Sequence, residues 1–147
     1  MFSPTSLNFA LGMIAEGAEG ETKEVLCNYL GTDDFASYAK EYLNKIKEYN
    51  TEDESYGYKS KLKIADAVWV DNNLTLQEEF KNSVTNGFGA EVENVDFSAA
   101  EKTCGIINSW CDKNTEGLIP KIITPDLIND TTGLCLTNSL YFESGWS

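Results

Sequence analysis

The last part of the chain alternates apolar and polar residues, a pattern that predicts a β-strand. Every second residue from Leu134 to Phe142 is apolar, with the exception of Asn138. Such a period of two is typical of a strand with one buried face. A buried amide without hydrogen-bond partners costs roughly 1–3 kcal/mol, so Asn138 predicts a polar network inside the core. The opposite face is semi-polar, which predicts that a second layer covers it: Cys135, Thr137, Ser139, Tyr141.

A second strand is predicted over residues 62–70, and it also carries one polar residue among aliphatic ones. Asp66 falls on the face that holds Leu62, Ile64, Val68 and Val70. A carboxylate in such surroundings is expected to have a raised pKa unless it is paired. We interpret Asp66 as a structural residue with hydrogen-bond partners rather than as a catalytic one. A shorter strand is predicted over residues 90–97.

Helical periodicity and capping residues predict three helices before the first strand. Ser3 and Pro4 are typical of an N-cap followed by the first helical position, and the run to Glu16 is apolar nearly all round, so this helix is expected to be buried. Thr22 is predicted to cap a second, short helix that Gly31 ends. A third helix is predicted over residues 34–49 from apolar residues at steps of three and four.

Two further helices alternate with the strands. One is predicted over residues 76–84, ended by glycines at 87 and 89. The other is predicted to begin with a capping box formed by Ser98 and Glu101 and to end near Gly117. The predicted order is therefore three helices, strand, helix, strand, helix, strand, which indicates an α+β fold or a fragment of a larger one.

Charge and composition exclude several function classes. The net charge is −13, from 24 acidic residues against 11 lysines, with no arginine. Nucleic acid and anionic membranes are therefore not expected as partners. The chain has no histidine, which removes the commonest general base and any triad built on it, so a hydrolase is disfavoured. Ser3 and Ser6 are interpreted as an N-cap and a helix-face hydroxyl rather than as nucleophiles.

The remaining chemistry-bearing patterns are weak. The four cysteines show no C-x-x-C spacing, and Cys104 and Cys111 lie too far apart on one helix for a disulfide, so free buried thiols are favoured. Without histidine or clustered thiols a zinc site is not expected, and no glycine pattern indicates a phosphate or cofactor site. No apolar run is long enough to span a membrane, and no signal peptide is visible.

One combination of segments is specific. Residues 2–22 (F-S-P-T-S-L-N-F-A-L-G-M-I-A-E-G-A-E-G-E-T) resemble the helix B to helix C region of serpins, the serine protease inhibitor superfamily. Residues 64–70 (I-A-D-A-V-W-V) resemble strand 2 of the family's sheet A, and residues 90–97 resemble strand 1. Residues 107–119 (I-N-S-W-C-D-K-N-T-E-G-L-I) are similar to helix F, and residues 136–146 (L-T-N-S-L-Y-F-E-S-G-W) resemble strand 3.

The resemblance implies a protease inhibitor rather than an enzyme, without a cofactor. Serpins inhibit serine or cysteine proteases by suicide: the protease cleaves an exposed reactive-centre loop, which then inserts as an extra strand of sheet A. The family also includes non-inhibitory members that act as binding or chaperone-like proteins, and this alternative stays open. Small residues in the hinge of that loop would favour the inhibitory reading. By family, the parent protein is expected to be extracellular.

The resemblance gives roles to the unusual polar residues. Ser3, Ser6 and Asn138 match the hydrogen-bonded shutter of serpins, the region where sheet A opens over helix B. Trp146 matches the tryptophan of the breach, where the loop first inserts. Asp66 stands where strand 2 of the family more often has asparagine.

The resemblance also sets expectations for the chain as a piece of a serpin. Residues 1–147 are expected to form the N-terminal part of one serpin domain, without the reactive-centre loop. Such a chain should not inhibit a protease alone. Glu143 and Ser144 replace the lysine and glycine that the family often has after Tyr-Phe. The free edge of strand 3 is expected to pair with a second copy or with a complementary serpin segment.

Overall fold

The computed structural model describes residues 3–50 and 60–144, and in them the predicted order of helices and strands is confirmed. The fold class is α+β, as predicted, with helices on both faces of one sheet. The elements are α1 (Pro4–Gly17), α2 (Gly20–Leu30), α3 (Phe35–Tyr49), β1 (Ser60–Asp71), α4 (Glu78–Phe88), β2 (Glu91–Val95), α5 (Ala100–Asn114) and β3 (Leu134–Ser144). A short 3₁₀ turn, Pro125–Leu127, lies in the connection from α5 to β3.

The ends of the helices confirm some capping predictions and correct others. The Ser3 hydroxyl accepts a hydrogen bond from the backbone N–H of Ser6, and Pro4 is the first helical residue, as predicted. The cap predicted at Thr22 is wrong, because α2 already begins at Gly20. Gly31 ends α2 with a φ of 75°, a left-handed conformation that glycine adopts without strain.

The capping box predicted at the start of α5 is also wrong. The Ser98 hydroxyl donates to Oδ1 of Asp96 at 2.5 Å, and the same oxygen accepts the backbone N–H of Ser98 at 3.0 Å. The aspartate two residues earlier therefore occupies the serine side chain in a local turn. The N-cap position falls to Ala99, which has no side-chain cap.

The sheet has the strand order β2-β1-β3. β1 pairs with β2 in parallel and with β3 antiparallel, in a register that places Val68 opposite Leu136 and Asp66 opposite Asn138. β1 is longer than predicted and β2 is shorter. Within the described residues, β3 is paired on one side only, so it forms an edge of the sheet.

Side chains of alternate residues in β1 pack into two separate hydrophobic cores. Val68 and Val70 pack against helices α1, α3 and α4, in a cluster that includes Phe9 and Phe35. Trp69 and its neighbour Ala67 face the other way and pack under α5, in a cluster completed by Val95, Phe97, Cys104, Ile107, Trp110, Cys111, Ile123 and Ile128. This arrangement confirms the prediction that both faces of the sheet are covered.

Burial of α1 and β3 differs from the prediction. α1 is not buried all round, because Leu7 and Ile14 expose 39% and 43% of their surface. On β3 the semi-polar face is the more buried one: Thr137 and Ser139 are buried, whereas Phe142 on the apolar face is 66% exposed. The reason is that α5 lies over the semi-polar face, whereas α1 and α4 cover only part of the apolar face.

Candidate functional site

A carboxyl group and an amide face each other across the middle of the sheet. Asp66 of β1 and Asn138 of β3 are direct partners in the antiparallel register. The Asn138 side-chain Nδ2 donates to Oδ1 of Asp66 at 2.8 Å. Asp66 is only 2% exposed, and its second oxygen, Oδ2, is buried without a hydrogen-bond partner among the residues that the structure describes. The two mid-face polar residues predicted separately from the sequence therefore form one pair.

Burial is the main influence on the pKa of Asp66. Desolvation raises the pKa of Asp66 to about 7, and the hydrogen bond from Asn138 opposes that rise only in part. No charged side chain contributes to this shift of the Asp66 pKa. A carboxyl group with such a pKa is protonated in a large fraction of molecules near neutral pH, which confirms the direction expected from the sequence.

The serines of the predicted shutter lie at the start of α1, the helix that packs across β3. Ser3 serves as the N-cap there, and its hydroxyl contacts the backbone of Ser6. In residues 3–50 and 60–144, no hydrogen bond is found between either serine and Asn138, whose amide nitrogen bonds Asp66 instead. The three-residue shutter stays a prediction. Trp146, the predicted breach residue, lies outside the described residues.

The face of the sheet under α5 holds a second buried polar pair, which the sequence did not reveal. Trp69 of β1 donates its indole N–H to the Thr137 hydroxyl at 3.0 Å. The Trp110 ring of α5 packs edge-on against Trp69, with centroids 6.1 Å apart and an interplanar angle of 87°. Strand alternation placed Thr137 on a semi-polar face, but only the register of β1 against β3 brings the two residues into contact.

Nucleophilic chemistry has little support in this geometry. All four cysteines are free. Burial raises the pKa of the thiols of Cys104, Cys111 and Cys135, so the less reactive protonated form is favoured. Within the described ranges, no group of three or more His, Cys, Asp or Glu side chains is arranged to hold a metal ion, and no helix is long and apolar enough to cross a membrane.

Comparisons with known proteins identify the fold family. The sequence matches the family described as Serpin (serine protease inhibitor) over residues 1–147. Serpin-ZXA of Oryza sativa subsp. japonica is 35% identical over 147 residues, which cover 99% of this chain and 37% of that protein. Human Neuroserpin is 32% identical over 151 residues, covering 99% of this chain and 35% of that protein.

Solved structures of serpins are similar in fold to this chain. The native stressed conformation of Arabidopsis AtSerpin1 superposes with a TM-score of 0.81 at 29% identity, covering 97% of this chain and 36% of that one. Manduca sexta Serpin-12 gives a TM-score of 0.83 at 27% identity, over 95% of this chain and 38% of that one. The chain thus spans little more than a third of the length of the relatives that it matches. Because the family match covers the whole chain, this protein belongs to the serpin family.

Proposed function

We propose that this chain forms the N-terminal part of a serpin-type inhibitor of serine or cysteine proteases. The observation that carries the proposal is that β3 forms an edge of the sheet built by the described residues, in a chain that matches the serpin family throughout. In the mechanism proposed for the whole protein, the cleaved reactive-centre loop adds a strand beside β3. Residues 1–147 do not inhibit alone in this proposal, because that loop lies outside the matched helices and strands.

The architecture of β3 supports this role physically. An inserting strand needs a long row of unpaired backbone N–H and C=O groups, and β3 offers the edge of an extended strand, Leu134–Ser144. On its other side β3 pairs with β1 from Ser144 to Leu134, so the edge is held by a continuous ladder. A firmly held edge keeps its register while a new strand forms against it.

We further assign the predicted shutter and breach to this mechanism. Ser3 and Ser6 lie at the start of α1, which packs across β3, the strand that carries Asn138. In the proposal these three side chains share hydrogen bonds when the sheet changes its number of strands. Trp146 comes two residues after the end of β3 in the sequence, and in the proposal it belongs to the place where the loop first inserts.

A covalent-complex assay tests the proposal. The full-length protein is incubated with a panel of serine and cysteine proteases, and the products are separated in SDS. Inhibition by loop insertion predicts an SDS-stable complex that contains protein and protease in a one-to-one ratio. The matched control is each protease with its nucleophile blocked, which should form no complex because no acyl bond can form.

The alternative is a non-inhibitory serpin that acts as a binding or chaperone-like protein. It is motivated by the end of β3, where Glu143 and Ser144 replace the lysine and glycine that the family often has. The Glu143 carboxylate accepts a hydrogen bond from the Tyr141 hydroxyl there at 2.7 Å. Absence of any SDS-stable complex across the panel, with the loop nevertheless cleaved, would contradict inhibition by loop insertion and favour this alternative. A secreted location for the parent protein is part of the first proposal and is tested by its recovery from culture medium.

A further inference from the structure

The Asp66–Asn138 pair uses half of its hydrogen-bonding capacity. A carboxyl group and a primary amide can share two hydrogen bonds, N–H to C=O and O–H to C=O, when the acid is protonated. In the structure the first of these is present, from Asn138 Nδ2 to Asp66 Oδ1. The other carboxyl oxygen, Oδ2, is buried and accepts no hydrogen bond from a described residue. An ionised carboxylate with such an oxygen is costly, whereas a protonated one can act as a donor.

We propose that Asp66 and Asn138 form a proton-operated clasp between β1 and β3, in which a proton from solvent binds Asp66 Oδ2 and is donated to the Asn138 carbonyl. The protonated clasp has two hydrogen bonds between the strands, and the ionised clasp has one. The pairing of β1 with β3 therefore tightens as the pH falls through neutrality. This inference concerns the sheet itself and does not depend on whether the whole protein inhibits a protease.

Other charges near the pair do not account for its behaviour. The elements packed on this face are α1, α3 and α4. Glu16 of α1 accepts a hydrogen bond from the Ser83 hydroxyl, and Tyr42 of α3 packs against Phe9 in the core. The remaining titratable side chains described on α3 and α4 are exposed. The other ionisable side chains of β1 and β3 occupy odd-numbered positions, on the opposite face of the sheet from Asp66.

The sign of the pH dependence follows from the pKa of about 7 in the folded protein. In an unfolded chain an aspartate has a pKa of about 3.9. The folded state therefore holds the proton more tightly, and the stabilisation is complete below the unfolded value and is lost as the pH rises through about 7. Between pH 5 and pH 8 the opening equilibrium constant of the β1–β3 pair is expected to rise roughly 100-fold.

The first test is a direct titration of Asp66 in the full-length protein labelled with ¹³C at aspartate carboxyl carbons. The Asp66 signal is assigned as the one lost in Asp66→Asn. Its midpoint is expected at about 7. A midpoint close to the ordinary aspartate value would overturn the proposal.

The second test measures the strands themselves, by hydrogen exchange on peptides covering β1 and β3 at pH 5.5 and pH 8, corrected for intrinsic exchange rates. The wild-type protein should lose protection in these peptides at pH 8. In Asp66→Asn, whose uncharged amide can also make two hydrogen bonds with Asn138, protection should be equal at both values. Asp71→Asn is the matched control on the same strand: contacts with Asn73 lower the pKa of Asp71, so this variant should keep the wild-type pH dependence.

Together the two tests decide whether the clasp exists. A clasp exists if Asp66 titrates near neutrality and the pH dependence of β1 and β3 disappears in Asp66→Asn but not in Asp71→Asn. Equal pH dependence in all three proteins contradicts the clasp, even if Asp66 titrates near neutrality. Failure of Asp66→Asn to fold contradicts it as well, since the amide is the mimic of the protonated state.

Discussion

Helices α3 and α4 approach each other so closely at Gly87 that a single methyl group should disturb the fold. A Cβ atom added to Gly87 would lie 2.7 Å from the Ala36 side chain and 3.0 Å from the Ala36 Cα and carbonyl oxygen. Cβ atoms in proteins essentially never come within 3.0 Å of a neighbour, and two of these neighbours are backbone atoms that cannot rotate away. Gly87→Ala therefore requires α3 and α4 to move apart.

The magnitude follows from two opposing effects. Alanine is favoured over glycine inside a helix by about 1 kcal/mol. Overpacking of a well-filled contact costs about 1–3 kcal/mol, and backbone contacts place Gly87→Ala at the upper end of that range. The net loss in the free energy of unfolding is expected to be about 2 kcal/mol.

Gly105 of α5 provides the matched control. A Cβ atom there meets nothing within 4 Å, so Gly105→Ala should stabilise the protein by about 1 kcal/mol through helix propensity alone. Urea unfolding followed by far-UV circular dichroism measures both variants against the wild type, with unchanged m-values as the condition for comparison. If Gly87→Ala stabilises the protein as Gly105→Ala does, the reasoning about α3 and α4 is wrong. Adding Ala36→Gly to Gly87→Ala should recover part of the loss, because it removes the closest contact.

Three further predictions concern the sheet. Thr137→Val leaves the buried indole N–H of Trp69 without its acceptor and should lower the free energy of unfolding by about 1–3 kcal/mol in urea titrations; an unchanged midpoint would contradict the contact. Asn138→Ala removes the donor to the buried Asp66 Oδ1 and should lower the free energy of unfolding by about 1–3 kcal/mol in the same titrations, where an unchanged midpoint would argue against the pair. The chain expressed by itself should dimerise or aggregate through the edge of β3, and a monodisperse monomer in light scattering would refute that expectation.

Alternation of apolar residues was enough to predict β1, β3 and the odd polar residue in the middle of each. It also predicted that the semi-polar face of β3, which carries Thr137 and Ser139, is covered. The contact between Asp66 and Asn138 could not be predicted from the sequence, because it depends on the register of β1 against β3. The two residues are 72 positions apart in the chain. Once the register is known, the raised pKa of Asp66 follows from burial, as the sequence predicted.

Local competition explains one of the two wrong capping predictions, the one at Ser98. Ser98 fits the sequence pattern of an N-cap, but Asp96 captures its hydroxyl before α5 begins. The start of α1 was predicted correctly because no acidic side chain competes for Ser3 there. The close approach of α3 and α4 at Gly87 had no signal in the sequence, since a glycine near a helix end is equally typical of a C-cap.

In the proposed mechanism, the cleaved loop inserts as a strand beside β3 in the whole protein. The most direct measurement is hydrogen exchange of the peptide Leu134–Ser144 in the full-length protein before and after its reactive-centre loop is cleaved. Insertion predicts that the amides of β3 that point away from β1 gain protection on cleavage, while amides of α5 and β2 change little. Unchanged exchange in β3 after complete cleavage would contradict the loop-insertion mechanism for this protein.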